Sequence, residues 1–305
     1  MRIAIASHIV LDKIKRNDDD DGALESIGGP PCYGGITSRR FGIDVSLVTK
    51  AGRDLPRELY NTLQKNNIVL SDRVIVDSPT TKFIIISHGD SRLLRLSEKC
   101  EPLTVEDIQK TKADCWLASP VIDELPQDVL AEIKRDRGKK NFVMLDPQGY
   151  LRLVDDMGCV TMRDKLDLEL SGINAIKVDI QEMTALTGGL QGLAGMQALH
   201  SRGIDFVIYT ENRIIHLLHN QTHYWLTLQE IDTVDSTGVG DILSASFSCA
   251  YIKENDPIWA ICFGVGAVKS ALETRQVGIA KIPSMRNIEE TATYLYNAIG
   301  FQRLS

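Results

Sequence analysis

Positive charge is in short supply. Lysine and arginine number 34 against 41 aspartates and glutamates, and the 305-residue chain carries a formal net charge of −7. A protein that grips nucleic acid needs a basic face for the phosphates, so the balance argues against that class and no nucleic-acid partner is expected. A small anionic ligand is not, because main-chain N–H groups can hold phosphate without net positive charge. Paired cysteines are missing as well. Cys32, Cys100, Cys115, Cys159, Cys249 and Cys262 form no C-x-x-C and no Cys/His group with zinc spacing. Several lie in apolar runs, as buried free thiols do, and a reduced, cytoplasmic setting is expected. The opening MRIAIASHIVLDKIKRNDDDD turns charged too soon for a cleavable signal. No apolar run approaches the length of a membrane span, so a soluble protein without a membrane partner is expected. The motifs G-x-x-x-x-G-K-[ST], H-E-x-x-H and G-x-S-x-G do not occur, and GVGAVK (264–269) lacks the third glycine of a dinucleotide fingerprint.

What is present is an alternation. IDVSLVT (43–49), DCWLAS (114–119), NFVMLD (141–146), NAIKV (174–178) and IDFVIYT (204–210) read as strands. Between them LPRELYNTLQKN (55–66), LPQDVLAEIKRD (125–136) and DIQEMTALTG (179–188) read as helices. Strand and helix taking turns predict βαβ units and a mostly parallel sheet, with ligands beyond the carboxyl ends of the strands. Two regions break the rhythm: residues 11–27, and TTKFIIISHGDSRLLRLS (80–97), which reads as two strands around a turn at HGDS. Strands without intervening helices predict a small flap beside the main sheet. The run Asp18–Asp21 could suggest a metal site; a solvated hairpin tip ending in Asp-Gly is the preferred reading. Towards the C-terminus DILSASFSCAYIKEN (241–255) and PIWAICFGVGAVKSALET (257–274) are apolar on most sides and should pack on the sheet and on each other, Pro257 opening the second.

The most informative stretch is TVDSTGVGDILSASF (233–247). Ser236 or Thr237 is expected to cap the helix that follows. Gly238 and Gly240 let the backbone come close to a ligand, and the N–H groups of residues 238–241 then converge at the positive end of a helix, an anion hole suited to phosphate. Asp241 is out of place in a loop made only to hold phosphate. It makes sense if it binds an attacking hydroxyl and takes its proton, for which an aspartate near its reference pKa of about 4 is ionised at pH 7. The amides meanwhile stabilise the phosphoryl group in transfer. The competing reading is a capped helix with an acidic first turn that favours the helix dipole.

Asp235-Ser236-Thr237-Gly238-Val239-Gly240-Asp241 resembles the D-[ST]-x-G-A-G-D signature of the ribokinase-like, or PfkB, carbohydrate kinases, with Val239 in place of alanine. The resemblance runs along nearly the whole chain. It implies a doubly wound α/β/α sandwich, α/β in class, as a single domain over 1–305 with a β-sheet lid from about 11–27 and 80–97. The family's catalytic base falls on Asp241 and its anion hole on Gly238, Val239, Gly240 and Asp241. GGPPCYGGITSRRFG (28–42) keeps Gly28, Gly29 and Gly42 of the N-terminal signature, with Tyr33 where asparagine is usual. The acidic residue that binds substrate hydroxyls falls on Asp12. The N-x-x-E motif, which organises magnesium and phosphates, is matched by DIQE with Asp179 for asparagine, and Glu182 keeps the glutamate. Apart from the resemblance, Asp179 and Glu182 form a capping-box pattern. On the nucleotide side TENR keeps Thr210 and puts Asn212 where glycine is expected, and the adenine should lie between there and the helices around 262–275. In many members a monovalent cation such as K+ supports the loop, and Asp235 and Thr237 would be among its ligands. LDPQGYLR (145–152) resembles a segment of some sugar and polyol kinases, in which Arg152 would reach a phosphate or a substrate oxygen; on sequence alone it is equally a surface arginine.

The implied activity is Mg·ATP-dependent phosphorylation of one hydroxyl on a neutral sugar, polyol or nucleoside, in a homodimer paired through the lids. The departures at Tyr33, Asp179 and Asn212 keep open a catalytically silent adenylate-binding module of the same fold. Arg39 and Arg40, expected on a helix face, give little reason to prefer a phosphorylated acceptor.

Overall fold

The structure is a computed structural model and describes residues 1–15, 24–88, 91–135 and 141–304. Its centre is a sheet whose inner strands are buried on both faces. In the first strand, Arg2–Ala6, Ile3 and Ile5 point into one apolar core while Ala4 and Ala6 point into the other. Cys115 and Leu117 against Trp116 and Ala118, and Phe142 and Met144 against Val143 and Leu145, divide in the same way. This is why these segments read as continuous apolar runs rather than as alternating ones.

Among the described residues the sheet has nine strands. From one edge they run Asp44–Val48, Arg2–Ala6, Cys115–Ala118, Phe142–Leu145, Ala175–Asp179 and Phe206–Glu211, all parallel. Ile214–His219, Thr222–Thr227 and Gly300–Arg303 then add an antiparallel edge. Helices Pro30–Arg40, Val239–Glu254, Pro257–Glu273 and Met285–Ala298 cover one face. Gln127–Arg135, Ile180–Thr187 and Gly192–Ser201 cover the other. The doubly wound sandwich expected from the sequence is the observed fold, and element ends differ from the expected ones by a few residues.

After Arg2–Ala6 the chain winds first to Asp44–Val48 on one side and later to Cys115–Ala118 on the other. The carboxyl ends of these strands therefore form a switch point, where crossovers leave in opposite directions and open a crevice. Glu124, fully buried, organises the turn beyond it: its carboxylate accepts the N–H groups of His8, Val121 and Ile122 at 2.7–3.0 Å.

A second sheet flanks this crevice, in the order Leu24–Gly28, Val10–Lys15, Thr81–His88, Ser91–Glu98. Val10–Lys15 runs parallel to Thr81–His88, and the two outer pairings are antiparallel. Val10 and Phe83 from this sheet join Val121 and Ile122 in a small apolar cluster of their own, which seats the sheet beside the switch point. The centre of the HGDS turn and the run Asp18–Asp21 lie outside the described residues. GVGAVK is helical: Gly264 lets its helix approach Leu243, whose Cδ1 would stand 2.9 Å from a β-carbon there. The six cysteines are free thiols. Among the described residues no helix is long and apolar enough to cross a membrane.

Candidate active site

The loop before helix Val239–Glu254 is held by Asp235. Its Oδ1 accepts the N–H of Thr237 at 2.8 Å, and its Oδ2 accepts the N–H of Gly278 at 2.8 Å and Nζ of Lys281 at 2.7 Å. Burial works to raise the pKa of Asp235, but donation from Lys281, Thr237 and Gly278 holds it below the ordinary value. The expected side-chain cap at Ser236 or Thr237 does not form. The N-cap is Gly238 itself, in the left-handed region at φ 75°, and no side chain caps the helix. Gly238 is required for space as well, since a β-carbon there would stand 2.3 Å from the ring of Tyr33. The Val239 N–H makes a long 3.4 Å bond to the Ser236 carbonyl, and the first intrahelical bond is donated by Ile242. The amides of Gly240 and Asp241 thus belong to the open first turn, where N–H groups have no acceptor within the helix.

Asp241 stands at the mouth of that turn, 6% exposed, its Oδ1 buried without a hydrogen-bond partner. It lines a cleft of about 270 Å³ together with Asp12, Gly29, Tyr33, Arg152 and Gly238. The expectation of an ordinary aspartate is corrected here. Burial, and next the negative charge of Asp146, push its pKa up to about 8 against the pull of Lys177 and Arg152. Asp12 enters from strand Val10–Lys15, and Gly28 leaves the room its carboxylate occupies. Gly29, at φ 77°, is the N-cap of helix Pro30–Arg40. Tyr33, in that helix, is almost fully buried. Arg152 is a cleft residue, with its guanidinium held by the Val121 carbonyl at 2.8 Å and Gln148 Oε1 at 2.9 Å and set 5.8 Å from the centre of the Phe83 ring. Arg39 instead bonds Asp44 and Arg40 the Ile282 carbonyl, and neither lines the cleft.

On the other side of the same loop lies a second pocket of about 490 Å³. Val239 and Gly240 line it from the loop, Thr210 and Asn212 line it as well, and Ile215, Leu243, Val268 and Leu272 contribute an apolar wall. Asn212 has φ 53°, the left-handed conformation that glycine and asparagine tolerate best, so the departure from glycine preserves the turn. Lys177 and Asp179 also line this pocket. Asp179 is the N-cap of helix Ile180–Thr187: its Oδ1 accepts the Glu182 N–H at 2.9 Å, while Glu182 Oε2 accepts the Asp179 N–H at 2.8 Å. The capping box read from the sequence is present.

Lys177 and Asp146, which the sequence did not single out, complete the site. Lys177 Nζ lies 3.1 Å from Asp146 Oδ2 and 3.6 Å from Glu182 Oε2. Burial alone would lower the pKa of Lys177, but Asp146, Glu182 and Asp179 outweigh it and hold the ammonium charged. Glu182 is shifted up, chiefly by burial, with Lys177 opposing. A β-carbon on Gly240 would stand 3.3 Å from Lys177 Nζ, so that glycine brings the helix start against the ammonium. Asp146 is fully buried, and the Lys177 ammonium is the cation set against its Oδ2. Carboxyl groups outnumber cations here, with Asp12, Asp146, Asp179, Glu182 and Asp241 against Lys177 and Arg152, and burial together with that excess shifts Asp241 and Glu182 upward. The surplus suits a divalent cation arriving with a phosphate ligand, which needs only one or two carboxylates and keeps several waters. Among the described residues no group of three or more His, Cys, Asp or Glu could hold a metal alone.

The model of the pfkB family carbohydrate kinases matches residues 35–284. The chain belongs to the pfkB family. No curated relative matches the sequence. Solved structures share its fold. A pyrophosphate-dependent kinase of the ribokinase family, solved with a pyrophosphate analog and myo-inositol, superposes with a TM-score of 0.78 at 21% identity, covering 95% of this chain and 99% of that one. A ribokinase from Thermotoga maritima gives 0.75 at 17%, covering 96% and 99%. A fructokinase double mutant from Vibrio cholerae, in its fructose, ADP and potassium ion bound form, gives 0.76 at 16%, covering 95% and 98%.

The pfkB match contains the loop 235–241, Asp179, Glu182, Lys177 and Arg152, but begins after Asp12, Gly28, Gly29 and Tyr33. For Asp12, Gly29 and Tyr33 the place in the cleft rests on geometry; Gly28 does not line the cleft and serves it only through the room it leaves for Asp12. Lys177, Asp146 and Lys281 had only weak signals in the sequence: a lysine inside a strand otherwise apolar, an aspartate at a strand's end, a lysine before Ile-Pro.

Proposed function

We propose that this pfkB-family carbohydrate kinase transfers the γ-phosphoryl group of ATP to one hydroxyl of a neutral sugar, polyol or nucleoside. One observation carries the reading. The loop 236–241 divides two pockets, presenting Gly238 and the Asp241 carboxylate to one and Val239 and Gly240 to the other. An acceptor held in the first by Asp12 and Arg152 would meet a donor held in the second across a single helix start.

In this reading Asp241 orients the acceptor hydroxyl and takes its proton. The hydroxyl oxygen bonds to the γ-phosphorus while the bond to the bridging oxygen breaks, and ADP leaves. Charge gathering on the phosphoryl oxygens falls on the open amides of the Val239–Glu254 helix start, with Lys177 close behind Gly240. Magnesium brought by the nucleotide would neutralise phosphate charge, with Glu182 and Asp146 the residues to accept its water shell. The second sheet, seated on Val121 and Ile122, would act as a lid that keeps water from the donor.

The apolar wall of the donor pocket favours a nucleotide over an inorganic donor, which has no apolar part to bury. Myo-inositol with a pyrophosphate donor, as in the structural neighbour, makes cyclitols and pyrophosphate necessary members of the test. The test is product formation across a panel of sugars, cyclitols and nucleosides, with ATP or pyrophosphate as donor. Acceptor-dependent ADP release is expected. Turnover with pyrophosphate alone would replace the donor, and tight ATP binding without turnover would leave a silent adenylate-binding module. Light scattering on the same preparation tests pairing through the lids, which the resemblance implies.

A further inference from the structure

The loop that carries the anion hole already contains a cation of its own. Lys281, 0% exposed, extends from the turn Gly278–Lys281 so that Nζ lies 2.7 Å from Asp235 Oδ2 and 3.0 Å from the Asp235 carbonyl oxygen. It also sits 5.5 Å from the centre of the Tyr33 ring, whose face favours a positive charge. Asp235 is one of the two residues that the family resemblance implies as ligands of a monovalent cation, and the Vibrio cholerae fructokinase of the same fold was solved with potassium bound. Here both of those Asp235 oxygens are in contact with an ammonium group. Ammonium and K+ are similar in size, and both are satisfied by oxygen ligands. A K+ ion placed on the same oxygens would be set against a like charge in a buried site, where such repulsion is weakly screened.

We infer that the ammonium of Lys281 takes the place of a monovalent cation in this chain and makes its anion-hole loop indifferent to K+. The effect on turnover rests on the kinase reading above; occupancy of the loop by Lys281 does not. Lys281 is thus a positioning residue. It closes the turn 235–238 onto the turn 278–281 and, through Asp235, sets where the helix beginning at Val239 starts. A side chain attached to the fold holds its site at a fixed local concentration, whereas a free ion would be lost when the salt changes.

The test compares equal concentrations of potassium chloride and tetramethylammonium chloride on the full chain. The wild-type protein should show the same Tm in both, and the same turnover with an acceptor from the panel. Lys281→Ala, which leaves the Asp235 carboxylate without its cation, should lower Tm by about 5–10 °C in tetramethylammonium. Potassium should restore part of that loss, and lithium should not. A wild-type protein selectively stabilised or activated by K+ would overturn the inference, as would a Lys281→Ala variant that responds to all the salts alike. Should Lys281→Ala not fold, Lys281→Met keeps the packing without the charge, and the wild-type comparison decides alone. Absence of turnover on every acceptor would count against the kinase reading, while the Tm comparison would still decide the role of Lys281.

Discussion

A β-carbon on Gly28 would stand 2.1 Å from Oδ2 of Asp12 and 3.1 Å from its Cγ. The two residues lie diagonally across an antiparallel pair in which Val10 faces Gly28 and Asp12 faces Ser26, so they share one face of the small sheet. The glycine is a space for the carboxylate. Gly28→Ala should turn Asp12 out of its position while the strands stay paired. The expected result is an acceptor KM raised by about tenfold or more, the scale of one lost hydrogen bond to a charged group, with the ATP KM unchanged. Steady-state kinetics with each substrate varied in turn checks it, and an unchanged acceptor KM would remove Asp12 from the substrate site.

Asp241→Asn tests the base. The amide cannot take a proton, and kcat should fall by roughly 10²-fold or more while ATP binding persists. Near-normal turnover would leave Asp241 as an ordinary first-turn acid. A carboxylate must be ionised to accept a proton, and the pKa of Asp241 is pushed up to about 8. kcat/KM should therefore rise with pH and level off above about 8, a profile that the Asn variant lacks.

The same shift makes a prediction about stability. Asp241 keeps its proton in the folded chain at pH values where the unfolded chain, with a carboxyl near 3.8, has released it. The folded state binds more protons, so this group's contribution to stability falls as pH rises from about 4 to about 8. Asp241→Asn should thus change Tm little near pH 4 and raise it by roughly 2–5 °C at pH 8. Thermal melts of both proteins at the two pH values measure the difference; an equal shift at both would show that burial does not hold the proton.

Lys177 neutralises Asp146 and Glu182 inside the protein. Lys177→Met leaves those carboxylates without their cation and should destabilise the fold by about 3–5 kcal/mol at pH 8. The loss should be smaller at pH 5, where protonating the stranded acids costs less. Urea unfolding at the two pH values reads both numbers, and a pH-independent loss would point to packing alone.

Asn212 can be tested through its backbone. With φ at 53°, Asn212→Gly should leave Tm and the ATP KM nearly as they are, whereas Asn212→Val should cost about 1–2 kcal/mol and raise the ATP KM. Were valine tolerated as well as glycine, the turn would have no part in shaping the donor pocket.

The sequence alone determined what depends on neighbours along the chain. Apolar runs separated by amphipathic helices imposed the layered fold, because strands buried on both faces must be covered on both. The Gly-x-Gly-Asp stretch placed a carboxylate at a helix start, and Asp179 with Glu182 spelled a capping box that forms with both bonds. Tertiary structure decided what depends on residues far apart in the chain. Lys281 reaches back to Asp235, Asp146 meets Lys177, and Gly28 makes room for Asp12, none of which periodicity or spacing can report. It also decided the chemistry of Asp241. Its residue type suggests a carboxylate ionised at neutral pH, but a pKa is set by surroundings, and only the fold could bury this one beside Asp146.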